Sequence, residues 1–152
     1  MQIASVDPQA RVLSEEEVLA LLREPILMRL GMVDGTGWPL VMPVWHVYEA
    51  GVFRVAAGNT SHKASVLRKN PRAYFTVDTG GNYGETRGVR GRASVRVIDR
   101  DVELAVDVTR KGLLKYTGTD TGPYAEEMLK WAREDGMSVV ELTPLRFGAF
   151  SY

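Results

Sequence analysis

Residues 52–78 read VFRVAAGNTSHKASVLRKNPRAYFTVD and predict a strand, a short helix and another strand in direct succession. The first six residues of this segment are rich in strand formers. Thr60 or Ser61 can cap a helix that continues through Lys69, and the dipeptide Asn-Pro then ends it. The alternation of apolar and polar residues over 73–78 is typical of a half-buried strand.

The start of this predicted helix has the chemistry of an anion site. A helix N-terminus presents unpaired amides and a partial positive charge, and Thr60 and Ser61 add hydroxyl groups. Lys63 places a full positive charge in the first turn, where the helix dipole disfavours a cation. This placement indicates an anion between them. The alternatives are a solvated lysine on an ordinary capped helix and, at His62, a surface imidazole.

A second informative segment is LVMPVWHVY, residues 40–48, in which both alternating faces are apolar or aromatic. A strand of an antiparallel barrel needs only its inward face buried. The face that carries Val41, Pro43 and Trp45 must therefore be covered by a helix, by a partner subunit or by a flat ligand. Packing against the predicted helix 15–24 is the plain alternative. Because proline has no amide donor, the strand is irregular or at an edge near Pro43.

The remaining segments extend this pattern into a small barrel. Ser14 and Glu17 form a capping-box pattern at the start of the first helix, and Asp99 is predicted to cap a helix that ends near Tyr116. Many short strands separated by close turns favour a small closed barrel over an open sheet. The other predicted elements are a helix at 123–134 and strands at 26–33, 40–48, 52–57, 73–78, 89–98, 138–143 and 146–152.

Composition restricts the classes of function. The chain has 152 residues, 45% hydrophobic and 25% charged, and is predicted to form a single domain over residues 1–152. Its 19 basic and 19 acidic residues cancel, which gives no general attraction to nucleic acid or to an anionic membrane. Cysteine is absent and there are 2 histidines, so a disulfide, a cysteine nucleophile and a metal site are not expected.

Several common motifs are missing as well. No segment has the length of an apolar membrane span, and the N-terminal residues lack the apolar core of a signal peptide, so the predicted location is the cytoplasm. There is no Walker motif, no Rossmann glycine fingerprint and no nucleophile-elbow motif. The simplest interpretation of Arg90, Arg92 and Arg96 is a solvated strand face, and the alternative is a phosphate or partner site.

The order of these pieces resembles a known family. The segment GMVDGTGWPLVMPVWHVYEAGVFRVAAGNTSHKASVLRKNPRAYFTVD, followed by GVRGRASV, is similar to the FMN-binding split-barrel family. This is the pyridoxamine 5′-phosphate oxidase-like group, which includes flavin and deazaflavin oxidoreductases. The resemblance extends over residues 15–100. It implies a mainly β fold, a split β-barrel of six to seven antiparallel strands of Greek-key type with short flanking helices, and a homodimer with flavin at the subunit interface.

The resemblance also implies site residues. Ser61 and Lys63 match positions that bind the cofactor phosphate, whereas the substrate residues of true pyridoxamine phosphate oxidases are not recognisable. The predicted cofactor-binding residues are Met42, Pro43, Val44 and Trp45 beside the ring system, Ala56 and Ala57 at a strand end, Thr60, Ser61, His62 and Lys63 at the phosphate, and Tyr83 as a cover from the other subunit.

The leading hypothesis is an FMN-dependent oxidoreductase that acts on a small-molecule substrate. The cofactor performs hydride transfer in such enzymes, so no dedicated catalytic side chain is predicted. The first alternative uses coenzyme F-420, whose acidic tail would favour extra basic residues such as Arg68, Lys69, Arg90 and Arg92. Further alternatives are a non-catalytic protein that binds flavin or a tetrapyrrole, and a barrel without a cofactor.

Overall fold

The fold, described for residues 1–152 by a computed structural model, is a curled, largely antiparallel sheet with four α-helices. The strands follow the order β3-β2-β6-β7-β8-β5-β4, and β9 pairs with both β7 and β1. The strands are β1 Ile3–Ala4, β2 Met28–Val33, β3 Pro39–Val44, β4 Val47–Glu49, β5 Val52–Gly58, β6 Arg72–Asp78, β7 Arg87–Ile98, β8 Met137–Pro144 and β9 Phe147–Ser151. The helices are α1 Glu15–Arg23, α2 His62–Lys69, α3 Val102–Thr117 and α4 Pro123–Arg133.

The long strand β7 joins the two parts of the sheet. It pairs with β6 along one edge, while its other edge pairs first with β9 and then with β8. The change of partner falls at Gly91, where an added Cβ would collide with the carbonyl oxygen of Arg146. The missing side chain therefore lets the β8–β9 turn lie directly against β7. The prediction of a mainly β split barrel with flanking helices is confirmed.

Apolar side chains fill the interior of the curled sheet. Phe53, Phe75 and Phe147 pack together, with the ring centroids of Phe53 and Phe75 4.9 Å apart. Helix α1 closes one end of this core with Val18 and Leu21, both almost fully buried. Each side chain of this size that leaves water contributes roughly 1.5–3 kcal/mol to folding.

Local signals located most elements correctly. The capping box at the start of α1 is present, and Ser61 is the residue that caps α2. The cap predicted for Asp99 is wrong, because Arg100 has a φ of 60° and the chain turns there, so that Asp101 caps α3 instead. The predicted strand 40–48 is divided into β3 and β4 by two residues that leave the ladder. Strand β1 and the short 3-10 turn Tyr83–Glu85 were not predicted.

The outward face formed by β3, β2 and β6 is exposed to solvent in one copy of the chain. Val41 is 71% exposed, Pro43 is exposed, and Tyr74 on β6 is 48% exposed. Gly31 lies between them in the register of β2 with β3 and β6, and adds no side chain to this face. Packing against α1, one of the covers considered for this face, is therefore wrong for Val41 and Pro43. None of the four helices is long and apolar enough to cross a membrane.

Candidate cofactor site

A cavity of about 220 Å³ lies between the end of β3, the middle of β5, the start of α2 and the helices α3 and α4. Pro43, Val44 and Trp45 form one wall, and Ala56 lies on β5. Lys63 reaches the cavity from the first turn of α2. Three separate segments of the sequence therefore meet here, each contributing residues that the sequence predicted for a cofactor site.

The start of α2 is arranged to accept an anion. The Ser61 hydroxyl accepts a hydrogen bond from the Ala64 amide at 3.3 Å, and the Ser61 amide donates to the Gly58 carbonyl at 2.9 Å. The cap therefore uses one amide of the first turn. The amides of His62 and Lys63 are those that a capped helix leaves without an intrahelical acceptor. Together with the positive end of the dipole, they favour a negatively charged group at this end of the helix.

Two cations line the cavity, and they differ in their partners. Arg54 donates through Nε to Glu141 at 3.0 Å. Burial would raise the pKa of Glu141, but hydrogen bonds from Arg54 and Arg96 outweigh burial and lower it, so this carboxylate stays charged. Lys63 makes no ion pair and no hydrogen bond with any residue of the chain. The charge of Lys63 is therefore available to a ligand, whereas that of Arg54 is neutralised.

Two aromatic side chains, Trp45 and Tyr124, line the cavity that Lys63 reaches, and Tyr116 packs behind Trp45. Trp45 stacks on Tyr116 with ring centroids 5.1 Å apart and an angle of 7° between the planes. Tyr124 meets the indole edge-on at 6.4 Å. A Cβ added to Gly112 would lie 3.5 Å from Cε3 of Trp45, so α3 offers a bare surface where the indole packs. Such a wall suits a flat ring, because aromatic rings attract one another in stacked and edge-on arrangements.

A buried polar cluster holds the interruption between β3 and β4. Lys115 donates to the carbonyl of Leu22 at 2.8 Å and to that of His46 at 3.0 Å, and its Nζ lies 3.4 Å from Nε2 of His46. Burial, with a further contribution from Lys115, lowers the pKa of His46 to about 3, so the imidazole is neutral near pH 7. Burial also lowers the pKa of Lys115 to about 8.

Tyr116 connects this cluster with the aromatic wall. Its hydroxyl accepts a hydrogen bond from the His46 amide at 3.2 Å and donates to the Ile26 carbonyl at 2.9 Å. Burial raises the pKa of Tyr116 to about 12, so the phenol remains a donor across the physiological pH range. The two strands thus separate at a defined point, and the separation places Trp45 over the cavity.

The comparison with known families agrees with this arrangement. Residues 14–149 match the model of the pyridoxamine 5′-phosphate oxidase family. The chain belongs to this pyridoxamine 5′-phosphate oxidase-like family. The match covers the cavity completely, together with all of the strands from β2 to β8. No curated protein matches the chain significantly in sequence.

Solved structures of the pyridoxamine 5′-phosphate oxidase-like type share the fold at low sequence identity. The conserved hypothetical protein Rv2991 from Mycobacterium tuberculosis superposes with a TM-score of 0.81 at 20% identity, over 97% of this chain and 90% of that one. An F420 reductase has a TM-score of 0.65 at 21% identity, over 88% and 98%. The heme storage protein HutZ from Vibrio cholerae has a TM-score of 0.68 at 18% identity, over 90% of this chain and 93% of that one. At these identities the likeness shows the fold alone.

The residues predicted for this pyridoxamine 5′-phosphate oxidase-like site divide into two groups. Pro43, Val44, Trp45, Ala56 and Lys63 line the cavity. Of the others, Met42 and Ala57 are their neighbours on the same strands, where alternate residues point to opposite faces, while Thr60, Ser61, His62 and Tyr83 lie outside the strands.

Met42 and Ala57 lie on the core face of their strands and pack in the barrel interior. Any contribution from these two positions to a cavity ligand comes from the backbone. Thr60 and His62 are exposed at the start of α2, Ser61 caps that helix, and none of the three lines the cavity. The sequence pattern therefore named residues on both faces of these strands, and the structure brings those of one face to the cavity.

Tyr83 lies apart from this cavity within one chain. It is 67% exposed, its hydroxyl donates to the Gln9 side chain at 3.2 Å, and its ring stacks on Tyr152 with centroids 4.7 Å apart. The predicted role of Tyr83 as a cover therefore requires a second copy of the chain.

The basic residues considered for an acidic cofactor tail do not gather around Lys63. Arg68 binds Asp99 through Nη2 at 2.7 Å and also donates to the Asn59 carbonyl at 2.7 Å. Arg96 pairs with Glu141. Arg90 and Arg92 line a different cavity. The interpretation of these strand arginines as one solvated face is therefore wrong for Arg90, which is half-buried.

Sequence reasoning missed the helical side of the cavity. Tyr116 and Tyr124 come from α3 and α4, about seventy residues after the strand that they cover. The local signal that could have indicated them is Gly112, since a glycine inside a helix costs about 1 kcal/mol relative to alanine and often marks close packing.

A wider cleft of about 1010 Å³ lies elsewhere, between β1, α1 and the turn from β4 to β5. Glu15, the first residue of α1, and Glu49 line it. Arg146 and two aromatic residues also line it, but the carboxylates of Glu15 and Glu49 disfavour an anionic cofactor there, so size alone does not make it the cofactor site.

Proposed function

We propose that this chain is an FMN-dependent oxidoreductase whose cofactor lies in the cavity beside α2. The observation that carries the proposal is the position of Lys63, which faces an aromatic-walled cavity from a helix N-terminus and has no partner in the chain. Such a cation, placed against the helix dipole, is stabilised when an anion binds between them.

The residues fit the two chemical parts of a flavin nucleotide. Lys63, the amides of the first turn and the Ser61 hydroxyl suit a phosphate monoester, since charge-assisted hydrogen bonds of this kind are strong. Trp45 and the strand beside it suit a flat ring system. The cofactor supplies the redox chemistry, and the chain binds it, orients it and excludes water from one face of the ring.

The same residues favour FMN over coenzyme F-420. A long acidic tail is expected to require several free cations near the phosphate site, but Lys63 stands alone there. Arg68, the nearest candidate along the helix, is already bound to Asp99. The site thus has enough positive charge for one phosphoryl group.

A homodimer is part of the proposal, because one copy of the chain encloses too little space. Pockets that hold small-molecule ligands have volumes of about 300–1,000 Å³, whereas this cavity has about 220 Å³. Val41, Pro43 and Tyr74 form an exposed apolar face that begins where the cavity wall ends. A second copy of the chain on this face would enlarge the cavity beside α2. It would also cover the apolar outward face of β3, for which the sequence predicts a cover.

The absorption spectrum of the purified protein tests the cofactor. Protein freed of ligand is mixed separately with FMN, coenzyme F-420 and hemin, and binding is followed in the visible range. We expect FMN to bind most tightly, and the bound flavin to bleach when a nicotinamide donor is added. Binding of F-420 but not FMN would replace the proposal with the deazaflavin alternative. Binding of any of the three without turnover would indicate a storage or sensing protein.

The dimer is tested by placing a charge on the bare face. Val41→Lys is expected to convert a dimer into a monomer in sedimentation experiments and to weaken FMN binding. Leu114→Lys, at an exposed apolar position on α3, is the matched control and should leave both unchanged. A wild-type protein that is monomeric with FMN bound would contradict this part of the proposal.

A further inference from the structure

Three arginines line a second cavity, of about 190 Å³, on the side of the barrel where β7 changes partner. They are Arg90 and Arg92 on β7 and Arg146 in the turn between β8 and β9. Tyr74 completes the polar lining, and no aspartate or glutamate lines the cavity. The chain as a whole carries no net charge, so this local excess of positive charge is a feature of the cavity itself.

The backbone brings the three arginine residues to the same cavity. Because Gly91 has no side chain, the carbonyl of Arg146 can approach β7 at this point. The amides of Leu145 and Arg146 both donate to the Arg92 carbonyl, at 2.8 and 3.4 Å. The turn is thus fixed against the strand, with Arg146 beside Arg90 and Arg92.

The Arg90 side chain is held in place, but one of its hydrogen-bond donors has no acceptor. Its Nη2 donates to the Val6 carbonyl at 3.1 Å, and its guanidinium lies over the Phe150 ring, 5.7 Å from the centroid. Its Nε is buried without any acceptor. Buried donors without a partner are rare in folded proteins, and a bound ion or water is one of the explanations for such a group.

The neighbouring charges do not neutralise this cluster. Arg92 and Arg146 form no ion pair in the chain, whereas Arg87 pairs with Glu24 at 2.7 Å. The acidic residue near Arg90 is Asp7, which accepts hydrogen bonds from the Tyr152 hydroxyl and from the Gln9 amide. Asp7 is therefore engaged by these donors and does not line the cavity.

We propose that this cavity binds a phosphoryl dianion at a site separate from the cofactor groove. Guanidinium groups present a planar fork of donors that matches phosphate geometry, and three of them around one cavity suit an anion with two charges. The volume of about 190 Å³ is below the range of about 300–1,000 Å³ for pockets that enclose whole small molecules, so it suits the charged group of a phosphate ester.

Calorimetric titration with inorganic phosphate at constant ionic strength tests the site. The titration is made in the Lys63→Ala background, so that the start of α2 contributes no lysine. We expect binding at one site per chain, weakened about tenfold or more by Arg146→Gln, as the loss of a charge-assisted hydrogen bond implies. Arg133→Gln, at an exposed arginine of α4 without an ion pair, is the matched control and should change the affinity less than about twofold.

Two further measurements identify the source of the phosphoryl group and test whether the arginines pair with a second copy of the chain instead. In wild-type protein loaded with FMN, phosphate binding that persists supports a separate site for a free phosphate ester, whereas binding lost on loading would overturn the proposal, because the cofactor phosphoryl group would then occupy the arginine cavity. Absence of phosphate binding in the Lys63→Ala protein would overturn the proposal. A monomer produced by Arg146→Gln without any phosphate binding would also overturn it, because the arginines would then pair with a second copy of the chain. Neither outcome bears on FMN binding beside Lys63.

Discussion

The two ends of helix α2 use positive charge in opposite ways. At the C-terminal end, Arg68 binds the Asp99 carboxylate, the Asn59 carbonyl and the Ser138 hydroxyl. At the N-terminal end, Lys63 faces a cavity and binds nothing in the chain. The first cation supports the helix dipole and fastens α2 to β7 and β8, while the second opposes the dipole.

This difference separates structural cations from cations that are available to ligands. A cation whose donors are satisfied within the fold stabilises it, and removing that cation should reduce stability. A cation that faces a cavity without a partner contributes little to folding, and removing it should reduce binding. Lys115 belongs to the first class and Lys63 to the second.

The largest expected effect concerns the buried cluster of Lys115 and His46. In this cluster we expect the free energy of unfolding to depend on pH. Below pH 6.5 the unfolded chain binds a proton at His46, whereas the folded chain binds it only near pH 3. The free energy of unfolding should therefore fall as pH decreases, by about 1.4 kcal/mol per pH unit from this residue. Denaturant titrations of wild type and His46→Gln at pH 6.5, 5.5 and 4.5 measure the contribution as a difference in slope.

In His46→Gln the glutamine can still accept a hydrogen bond from Lys115. The variant therefore removes the group that titrates at position 46 but keeps its contact with Lys115. His62→Gln, the same substitution at an exposed histidine, is measured alongside to control for the substitution itself. Equal slopes for wild type and His46→Gln would show that the buried cluster does not exclude the proton.

The next effect is on the C-terminal end of α2. Arg68→Ala should lower the free energy of unfolding by about 1–2 kcal/mol, because it removes several hydrogen bonds and leaves their acceptors unpaired. Lys69→Ala, at the adjacent exposed residue, should change it by less than about 0.5 kcal/mol. Both variants should bind FMN as the wild type does. A loss of FMN affinity in Arg68→Ala with unchanged stability would show that Arg68 binds the ligand and is not a structural cation.

The smallest effect distinguishes the two uses of Ser61. Ser61→Ala removes the helix cap and should cost about 1 kcal/mol of stability, whereas Ser61→Gly should cost only a few tenths. If the hydroxyl also binds the phosphate, both variants lose FMN affinity to the same extent. If Ser61→Gly binds FMN almost as tightly as the wild type and only Ser61→Ala binds it weakly, FMN affinity follows stability. The role of Ser61 would then be limited to capping the helix.

Much of this fold was predictable because its signals are local. The capping box of α1, the cap and end of α2 and the alternation along β6 and β7 each depend on residues a few positions apart. The division of β3 from β4 was only partly predictable. Pro43 indicated an irregular strand, but the break follows it by two residues, where Tyr116 and Lys115 hold the backbone of His46.

The candidate site was predictable where the chain is continuous and not where it is assembled from distant parts. Lys63 and Trp45 stood out by sequence, and they share a cavity in the structure. The stacking of Tyr116 on Trp45 depends on how α3 packs, which no local pattern specifies. The partner of Asp99 is a further example, since a carboxylate before a helix looks like a cap until Arg68 approaches it.

The central claim, that Lys63 forms the phosphate end of a flavin groove, is tested most directly by comparing FMN with riboflavin, which lacks the phosphate. Dissociation constants of both ligands are measured for wild type and Lys63→Ala. The wild type should prefer FMN by about 1.5–3 kcal/mol, roughly 10- to 150-fold, and Lys63→Ala should lose most of that preference. An equal preference in the two proteins, or no preference in the wild type, would contradict the assignment.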